Sequence, residues 1–384
     1  MYRTPKGSQP AAAFQTSEMA FGATAVPQSK PMPANKPLPS EDLAHILEHT
    51  REAFLALAGA RIFLTGGTGF FGHWLLESLL DANRELSLCV RVTALTRNAA
   101  AFQAKSPHIA ADPAVTLLEG DIRTFPFPRD LTSDPFTHIL HAATDSGGQQ
   151  TVQPAYTLAE SILDGTRRVL LLARSTGAQR LLYVSTGAVY GRSSATETHI
   201  PETSLAGPNP LLLSSSYDEA KRMSEHLSVA YAHNTPFEAV IARPFAFVGP
   251  HLPLDAHFAV GNFVASAIRN QPIHIRGDGT PLRSWLYMAD LAIWLWTMLV
   301  RGVANRAYNV GSEDAHTIAE AAYLTASTLR PGLPVRIDGS PKPGAPMNSY
   351  VPSTVRARDE LGLTQTISLA EALRRTSEWH GYLA

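Results

Sequence analysis

The chain contains very little cysteine and no long apolar run. Cys89 is the single cysteine among 384 residues, which excludes a disulfide framework within the chain and is typical of a reducing compartment. We find no N-terminal apolar segment with the pattern of a secretion signal. The most apolar run covers residues 291–300 and is too short to cross a bilayer, so we expect a buried helix there. These absences predict a cytoplasmic protein without a membrane partner.

Charge is also scarce. The chain has 32 Lys and Arg residues against 33 Asp and Glu residues, a formal net charge of −1, which gives no reason to expect nucleic acid as a partner. Hydrophobic residues make up 45% of the chain and charged residues 17%. This composition predicts a globular protein with a large core, in one large or two closely joined domains.

The first part of the chain lacks hydrophobic periodicity. Residues 1–40 are rich in Pro, Ala, Ser, Gln and Lys, and this composition predicts a disordered tail. Ser40 is followed by two acidic residues, a pattern typical of a helix start, and apolar spacing predicts a helix over residues 41–59. We expect that helix either to pack on the outside of the next domain or to form a dimer contact.

From residue 60 the sequence alternates between short apolar runs and helical patterns. This alternation predicts an α/β fold with a Rossmann-type, doubly wound parallel sheet, in which ligands bind at the carboxyl ends of the strands. The clearest helix covers residues 155–176. The predicted strands cover residues 62–64, 89–96, 115–119, 137–141, 180–185 and 237–241.

A glycine-rich turn follows the first predicted strand. Gly66, Gly69 and Gly72 are spaced as G-x-x-G-x-x-G, and a helical pattern begins after Gly69. Glycine permits a sharp turn out of the strand, close approach of a pyrophosphate and tight packing of helix on strand. The helix that begins here directs its free N–H groups toward bound phosphates. The expected dinucleotide contacts are Gly66, Thr68, Gly69, Phe70, Phe71 and Gly72.

Arg97 follows the second predicted strand, where the adenosine ribose of a dinucleotide lies. An acidic residue at this position holds the ribose 2′-hydroxyl of NAD, whereas an arginine suits the 2′-phosphate of NADP. A solvated surface arginine is the alternative interpretation. The expected cofactor is therefore NADP or NAD, with NADP favoured.

Tyr217 and Lys221 are four residues apart in a helical pattern, which puts both side chains on one helix face. A tyrosine has a pKa of about 10, and a neighbouring cation is expected to lower that pKa. Tyr217 would then exchange a proton with a substrate alcohol or ketone, while Thr186 at a strand end hydrogen-bonds the same oxygen. Such Tyr/Lys pairs also arise by chance, but the order of the motifs favours catalysis.

Together these motifs resemble the extended, nucleotide-sugar-modifying branch of the short-chain dehydrogenase/reductase superfamily, from residue 60 to about residue 365. The resemblance implies an NAD(P)-binding Rossmann domain over residues 60–245. It implies a smaller substrate lobe mainly over residues 246–384, with some segments returning to the first domain. A nucleotide-activated sugar is the expected partner, and a homodimer is the expected assembly.

The resemblance also implies roles for residues after the other strands. Tyr217 and Lys221 are also expected to contact the cofactor. Arg283 matches the residue that contacts the substrate's diphosphate in the family. His141 is expected to pack or hydrogen-bond rather than take part in chemistry, and no metal ligands are predicted. The further cofactor contacts are Asp121, Ile122, Ala142, Ala143, Thr144 and Pro244, and the further substrate contacts are Ser185, Thr186 and Asn262.

Two positions depart from the family's pattern. In the 4,6-dehydratases the catalytic Thr is followed by Asp-Glu, and the decarboxylases have Glu at the second position; here Gly187 and Ala188 stand there and cannot titrate. Hydride transfer at one carbinol carbon is then the simplest chemistry, in either a 4-epimerase or an NADPH-dependent 4-ketoreductase. Gly187 and Ala188 would leave room for the sugar to turn, which favours the epimerase, whereas Arg97 favours the reductase; the epimerase is the expected activity. A non-catalytic redox sensor is the remote alternative, because such binders usually lose the Tyr/Lys pair.

Overall fold

The computed structural model describes residues 36–127, 135–144, 154–191, 198–255, 258–342, 344 and 348–382. The predicted tail over residues 1–35 lies outside these ranges. The helices are α1 Ser40–Ala56, α2 Phe70–Leu86, α3 Ala99–Lys105, α4 Pro107–Ala110, α5 Ala155–Thr176, α6 Ser216–Ala232, α7 Ala259–Ile268, α8 Met288–Arg301, α9 Ile318–Leu329, α10 Val355–Leu361 and α11 Leu369–Trp379.

The strands alternate with these helices through the first half of the chain. Two short 3-10 helices, Gly187–Tyr190 and Leu213–Ser215, lie between β5 and α6 in the chain. The strands are β1 Arg61–Thr65, β2 Arg91–Thr96, β3 Val115–Glu119, β4 His138–His141, β5 Arg180–Val184, β6 Glu238–Pro244, β7 Phe247–Val248, β8 Ile273–Ile275, β9 Leu282–Arg283, β10 Leu286–Tyr287, β11 Arg306–Val310, β12 His316–Thr317, β13 Val335–Ile337 and β14 Ser349–Tyr350.

Seven strands form one parallel sheet in the order β11-β6-β5-β4-β1-β2-β3. The predicted doubly wound sheet is confirmed. The strand order reverses between β1 and β4, and a crevice opens at such a reversal above the carboxyl ends of the strands. β2 begins at Arg91 rather than at Cys89, because Cys89 has a φ of 58° and cannot continue an extended strand.

After β6 the chain builds smaller sheets. β7 pairs with β10, β8 pairs with β13, and β9 lies between β12 and β14. β11 then returns to the edge of the large sheet and pairs with β6. The extents of the two predicted lobes stay a prediction, but this return shows how the second half of the chain completes the first sheet.

Helix α8 lies inside the core. Every residue from Met288 to Leu299 is buried, which confirms the buried helix predicted for residues 291–300. Trp296 packs against Phe54 of α1, with ring centroids 5.5 Å apart, and its indole N–H donates to the Ser78 hydroxyl at 3.0 Å. Over the described part of the chain, no helix has the length and apolar character needed to span a membrane.

Helix α1 packs on α2 and α8 of its own chain, the first of the two alternatives left open. Asp42 of α1 is completely buried. Its carboxylate accepts hydrogen bonds from the Tyr287 hydroxyl and the Arg375 guanidinium, both at 2.6 Å. Because a buried carboxylate is costly without such partners, these contacts fix α1 in one orientation.

Residues 36–39 make specific contacts just before α1, so the prediction of disorder up to residue 40 is wrong for these four residues. Leu38 is buried, and its N–H donates to the Glu77 carboxylate at 2.7 Å. The indole N–H of Trp379 donates to the carbonyl of Pro37 at 3.1 Å. Composition predicted disorder here because a single buried apolar residue, Leu38, produces no periodic pattern in the sequence.

Deletion of residues 1–39 is expected to lower the melting temperature by about 3 °C or more relative to deletion of residues 1–35. The longer deletion exposes the site of Leu38 and removes a hydrogen bond to the buried Glu77 carboxylate. Thermal unfolding of the two truncated proteins measures the difference, and the shorter deletion is the matched control. Equal melting temperatures would show that residues 36–39 contribute no stability.

Candidate active site

The three glycines after β1 have different structural roles. Gly66 has a φ of 77°, and a Cβ there would lie 2.7 Å from the carbonyl of Ala142, just beyond β4. A Cβ on Gly72 would lie 2.2 Å from the carbonyl of Gly67, so this glycine permits tight packing of α2. Gly69 caps α2, and the nearest atom to its Cβ position is 3.4 Å away. Gly69 therefore leaves the N-terminus of α2 open.

The N-terminus of α2 fits the diphosphate of a dinucleotide. The first turn of α2 has no acidic residue, and its cap makes no side-chain hydrogen bond, so the first N–H groups are available to an anion. Thr68 and Phe70 beside this turn are partly buried. Phe71 packs edge-on against Phe247, with ring centroids 5.3 Å apart, which fixes the start of α2 against β7.

The turn after β4 is held by a threonine that the sequence analysis missed. The Thr65 hydroxyl hydrogen-bonds the His141 Nδ1 at 2.7 Å and accepts a hydrogen bond from the N–H of Ala143 at 3.0 Å. His141 Nε2 lies 3.2 Å from the Thr166 hydroxyl. Burial lowers the pKa of His141 to about 3, so the ring is neutral. The prediction that His141 packs and forms hydrogen bonds is confirmed, and this network places Ala142 and Ala143 beside Gly66.

The predicted adenosine contacts lie at the ends of β2 and β3. Asp121 forms a two-point ion pair with Arg123, whose Nε and Nη2 lie 2.8 and 2.9 Å from its two oxygens. Hydrogen bonds from Arg123 are the largest cause of the lowered pKa of Asp121. Ile122 packs on α5, where a Cβ on Gly165 would lie 2.8 Å from its side chain. Asp121 and Ile122 are therefore held in place.

Arg97 is exposed at the end of β2, and an acidic residue of the neighbouring strand lies close to the same strand end. Glu119 of β3 pairs in register with Thr96. Its carboxylate accepts a hydrogen bond from the N–H of Ala99 at 2.8 Å, at the start of α3. The sequence analysis looked for an acid only at the end of β2, whereas the sheet brings one from β3.

Thr186 and Tyr217 meet at the end of β5. Thr186 is buried, its hydroxyl accepts a hydrogen bond from the N–H of Ala188 at 3.2 Å, and it lies beside the phenol of Tyr217 on α6. Lys221, one helical turn further on, is 2% exposed. Its ammonium donates to the carbonyl of Val184 at 2.8 Å and lies 5.0 Å from the ring centroid of Tyr183. The predicted Thr, Tyr and Lys therefore surround one strand end.

The expected lowering of the Tyr217 pKa is wrong for the protein on its own. Burial raises the pKa of this phenol, and the neighbouring Thr186 hydroxyl only partly opposes the increase. Burial also lowers the pKa of Lys221 to about 7, which Glu225 partly offsets. The ammonium of Lys221 is directed at the Val184 carbonyl, so desolvation decides the pKa of Tyr217.

Glu225 is a buried carboxylate that the sequence analysis missed. It accepts a hydrogen bond from the Ser185 hydroxyl at 2.6 Å and from two guanidinium nitrogens of Arg243, at 3.0 and 2.6 Å. Arg243 in turn donates to the Tyr190 hydroxyl at 2.8 Å. The Ser185 hydroxyl donates its proton to Glu225, and its contact with substrate stays a prediction. The position of Glu225 four residues after Lys221 was the available signal.

Aromatic rings occupy the place of the missing acidic pair. A Cβ on Gly187 would lie 2.7 Å from the ring of Phe245, which follows Pro244 at the end of β6. The Phe245 ring packs on Tyr350 of β14, with centroids 4.6 Å apart. Burial raises the pKa of Tyr350, and the nearby Thr186 hydroxyl opposes part of that increase. No motif singled out Phe245 or Tyr350, and only the packing of distant strands brings them to the site.

The predicted substrate residues are found in two different settings. Arg283 is partly buried on β9, donates to the carbonyl of Asn348 at 3.1 Å and lies 6.0 Å from the ring centroid of Tyr350. Asn262 is exposed in the first turn of α7, and its contact with a sugar nucleotide stays a prediction. Within the ranges that the structure describes, no three His, Cys, Asp or Glu side chains are grouped to hold a metal ion.

We expect the Tyr217 phenol to ionise at a higher pH than an ordinary tyrosine, whose pKa is about 10. Ultraviolet titration of the wild type and of Tyr217→Phe measures this, because the difference between the two curves is the ionisation of Tyr217. Burial favours the protonated phenol. The Tyr323→Phe variant, which lacks a tyrosine exposed on α9, is the control for the loss of one phenol. A Tyr217 midpoint below about 10 would contradict the expected burial effect.

We expect NADP to bind more tightly than NAD, by less than about tenfold, because Arg97 is exposed and screened by water and salt. The Arg97→Ala variant should remove the difference, and Glu119→Gln should widen it by removing a nearby negative charge. Titration of both nucleotides measures the ratio. Arg167→Ala, on an exposed face of α5, is the control. A ratio unchanged by Arg97→Ala would show that Arg97 does not contact the nucleotide.

Comparison with known proteins was consistent with this geometry. Residues 62–311 match the model of the NAD dependent epimerase/dehydratase family. The chain is 30% identical over 315 residues to UDP-glucuronic acid decarboxylase 1 of Arabidopsis thaliana, covering 82% of this chain and 68% of that one. It is 27% identical over 346 residues to decarboxylase 5 of the same plant, covering 90% and 94% of the two chains.

Solved structures share the fold. An epimerase from Methanothermobacter thermautotrophicus superposes with a TM-score of 0.73 at 24% identity, covering 87% of this chain and 96% of that one. The dTDP-glucose 4,6-dehydratase DesIV of Streptomyces venezuelae, solved with NAD bound, has a TM-score of 0.69 at 25% identity, covering 84% and 97%. From its family match, its plant relatives and its site, this chain belongs to the NAD-dependent epimerase/dehydratase family of enzymes.

Proposed function

We propose that this protein is a nucleotide-sugar 4-epimerase, which oxidises the C4 carbinol of the sugar and returns the hydride to the opposite face. The similar proteins include decarboxylases, epimerases and dehydratases of nucleotide sugars by their names. A nucleotide sugar is therefore the substrate class that we infer for this chain.

The observation that carries the proposal is the packing of Phe245 against Gly187. The Phe245 ring would lie 2.7 Å from a Cβ at position 187, so an acidic side chain could enter only if the ring moved. Ala188 is the next residue and has no titratable group. A site without acid–base groups at these two positions is suited to chemistry at one carbinol carbon.

Thr186, Tyr217 and Lys221 would have different roles in proton transfer. Thr186 would hold the C4 oxygen. Burial keeps the Tyr217 phenol protonated in the protein on its own, so Tyr217 would accept the C4 hydroxyl proton during oxidation only as the phenolate, and would return that proton during reduction. The ammonium of Lys221, one helical turn away, would supply the positive charge that favours the phenolate. The nicotinamide, when bound, supplies the hydride acceptor. Gly69 and the start of α2 would hold its diphosphate, and the Thr65 network would hold the turn beside it.

Decarboxylation is a second candidate, favoured by the similarity to the plant UDP-glucuronic acid decarboxylases. Oxidation at C4 of a uronic acid gives a ketone β to the carboxylate, and such a β-keto acid loses CO₂ readily. An acidic residue at position 188 is then not required for carbon–carbon bond cleavage. The same Thr186 and Tyr217 would serve the oxidation, so the two candidates differ only in the fate of the ketone that it produces.

Product analysis separates the candidates. UDP-glucose, UDP-glucuronic acid and a nucleotide 4-ketosugar are each incubated with the protein, with and without added NADPH, and the products are read by NMR. The proposal expects the C4 epimer without added NADPH. Loss of CO₂ from UDP-glucuronic acid would establish the decarboxylase, and NADPH-dependent reduction of the 4-ketosugar alone would establish the ketoreductase.

We also propose a homodimer, as the resemblance implied. Large apolar side chains are exposed on the two helices that flank the site: Tyr156 and Leu171 on α5 are 65% and 41% exposed, and Met223 on α6 is 51% exposed. Burial of such a surface against a second copy would stabilise both subunits.

The Tyr217→Phe variant is expected to reduce turnover by about a hundredfold or more while leaving cofactor affinity nearly unchanged, because only the transferable proton is lost. Steady-state rates on the best substrate and titration with the cofactor measure the two effects. Tyr323→Phe on the exposed face of α9 is the matched control. If Tyr217→Phe kept more than about a tenth of the rate, Tyr217 would not be the acid–base group.

A further inference from the structure

Lys221 lies beside the face of an aromatic ring. Its ammonium is 5.0 Å from the centroid of the Tyr183 ring on β5, within the distance of about 6 Å at which a cation is attracted to a ring face. Lys221 is 2% exposed and Tyr183 is 1% exposed, so water screens neither group. Such contacts are strongest when they are desolvated, and the ring therefore helps to hold the ammonium.

The Tyr183 ring is fixed from the neighbouring strand. Tyr183 pairs in register with His141 of β4, and the two ring centroids are 5.4 Å apart. Both ring nitrogens of His141 are hydrogen-bonded, Nδ1 to Thr65 at 2.7 Å and Nε2 to Thr166 at 3.2 Å. Because burial lowers the pKa of His141 to about 3, its neutral ring adds no positive charge beside Lys221. The Tyr183 ring therefore lies between a fixed neutral ring and the ammonium.

The negative charge nearest to Lys221 on α6 is bound by another cation. Glu225 lies one helical turn after Lys221, and Arg243 of β6 binds its carboxylate through two hydrogen bonds. Burial lowers the pKa of Lys221 to about 7, and Glu225 only partly offsets this. The charged ammonium therefore also depends on two uncharged groups of β5, the Val184 carbonyl at 2.8 Å and the Tyr183 ring. The other titratable or polar side chains around this group are Tyr217 of α6, His141 of β4, Tyr190, which accepts a hydrogen bond from Arg243, and the uncharged Thr166 of α5, which donates to Ser224.

We propose that Tyr183 is a positioning residue, whose ring face holds the Lys221 ammonium at the end of β5 and favours its charged form. A buried lysine with the Val184 carbonyl alone would lose its proton more easily, and a neutral amine would leave a Tyr217 phenolate without a neighbouring cation. The consequence for turnover rests on the proposed function. The inference deepens that function because it gives a ring of the central sheet, remote from the reacting oxygen, control over the pH range of the site.

The test is a pH titration of Lys221 itself by NMR. Lysines are isotope-labelled at Cε, and the Lys221 signal is identified by its absence from the Lys221→Met variant. Tyr183→Phe keeps the aromatic face, whereas Tyr183→Leu replaces it with an aliphatic side chain. The midpoint of the Lys221 titration should be about half a pH unit or more lower in Tyr183→Leu than in Tyr183→Phe, a change of roughly threefold or more in proton affinity.

A series of similar rings separates the charge distribution of the ring from its packing. Phenylalanine, monofluorinated phenylalanine and trifluorinated phenylalanine are introduced at position 183, because fluorine withdraws electron density from the ring face with little change in size. The Lys221 midpoint should fall with each step. This series also decides the question if thermal unfolding shows that Tyr183→Leu is not folded. Tyr323→Leu on the exposed face of α9 is the control and should leave the midpoint unchanged.

Equal Lys221 midpoints in Tyr183→Phe and in the trifluorinated protein would overturn the inference. The turnover rate of Tyr183→Leu on a converted nucleotide sugar should decline at a lower pH than that of Tyr183→Phe, because the lysine loses its proton earlier. A shifted midpoint with an unshifted rate profile would uphold the role of Tyr183 and overturn the role of Lys221 in the proposed function. If the wild type converts no nucleotide sugar, the proposed function fails, and the titration still decides the inference.

Discussion

The active site depends on the ion pair between Glu225 and Arg243 that lies behind it. Glu225 is 5% exposed, and Lys221 on the same helix is 2% exposed, so water stabilises neither of these two charges. The Glu225 carboxylate binds the Arg243 guanidinium through two hydrogen bonds and accepts a third from Ser185, which joins α6 to the ends of β5 and β6. Removal of one partner from such a pair costs about 3–5 kcal/mol. The positions of the reacting groups on β5 and α6 therefore depend on this pair.

In front of that pair, the site is shaped by aromatic rings in place of acids. Phe245 follows β6 and closes the space beside Gly187, and Tyr350 of β14 covers Phe245. The hydroxyls of Thr186 and Tyr217, the predicted reacting groups, lie side by side at the end of β5. Proteins of one fold commonly catalyse different reactions because the residues that follow their strands differ. The plant relatives can therefore share about a third of the residues without fixing the reaction of this chain.

Much of the fold could be predicted because its signals are local. Apolar runs and helical spacing marked β1 to β6 and the full extent of α5, and a parallel sheet requires ligands at one edge. The boundaries were less accurate where a single backbone angle decides, as at Cys89. Disorder was predicted too far along the chain, because Leu38 meets Glu77 and its buried surroundings only after folding.

The sequence by itself determined the doubly wound sheet, the glycine turn and the pairing of Tyr217 with Lys221, because each depends on residues close together in the chain. Only the tertiary structure decided the surroundings of those groups. It directed the Lys221 ammonium to Val184, set the Ser185 hydroxyl on Glu225 and brought Tyr350 to Thr186 from more than a hundred and fifty positions away. Burial, which sets the pKa of Tyr217, is a property of all the packed elements together, and no local pattern records it.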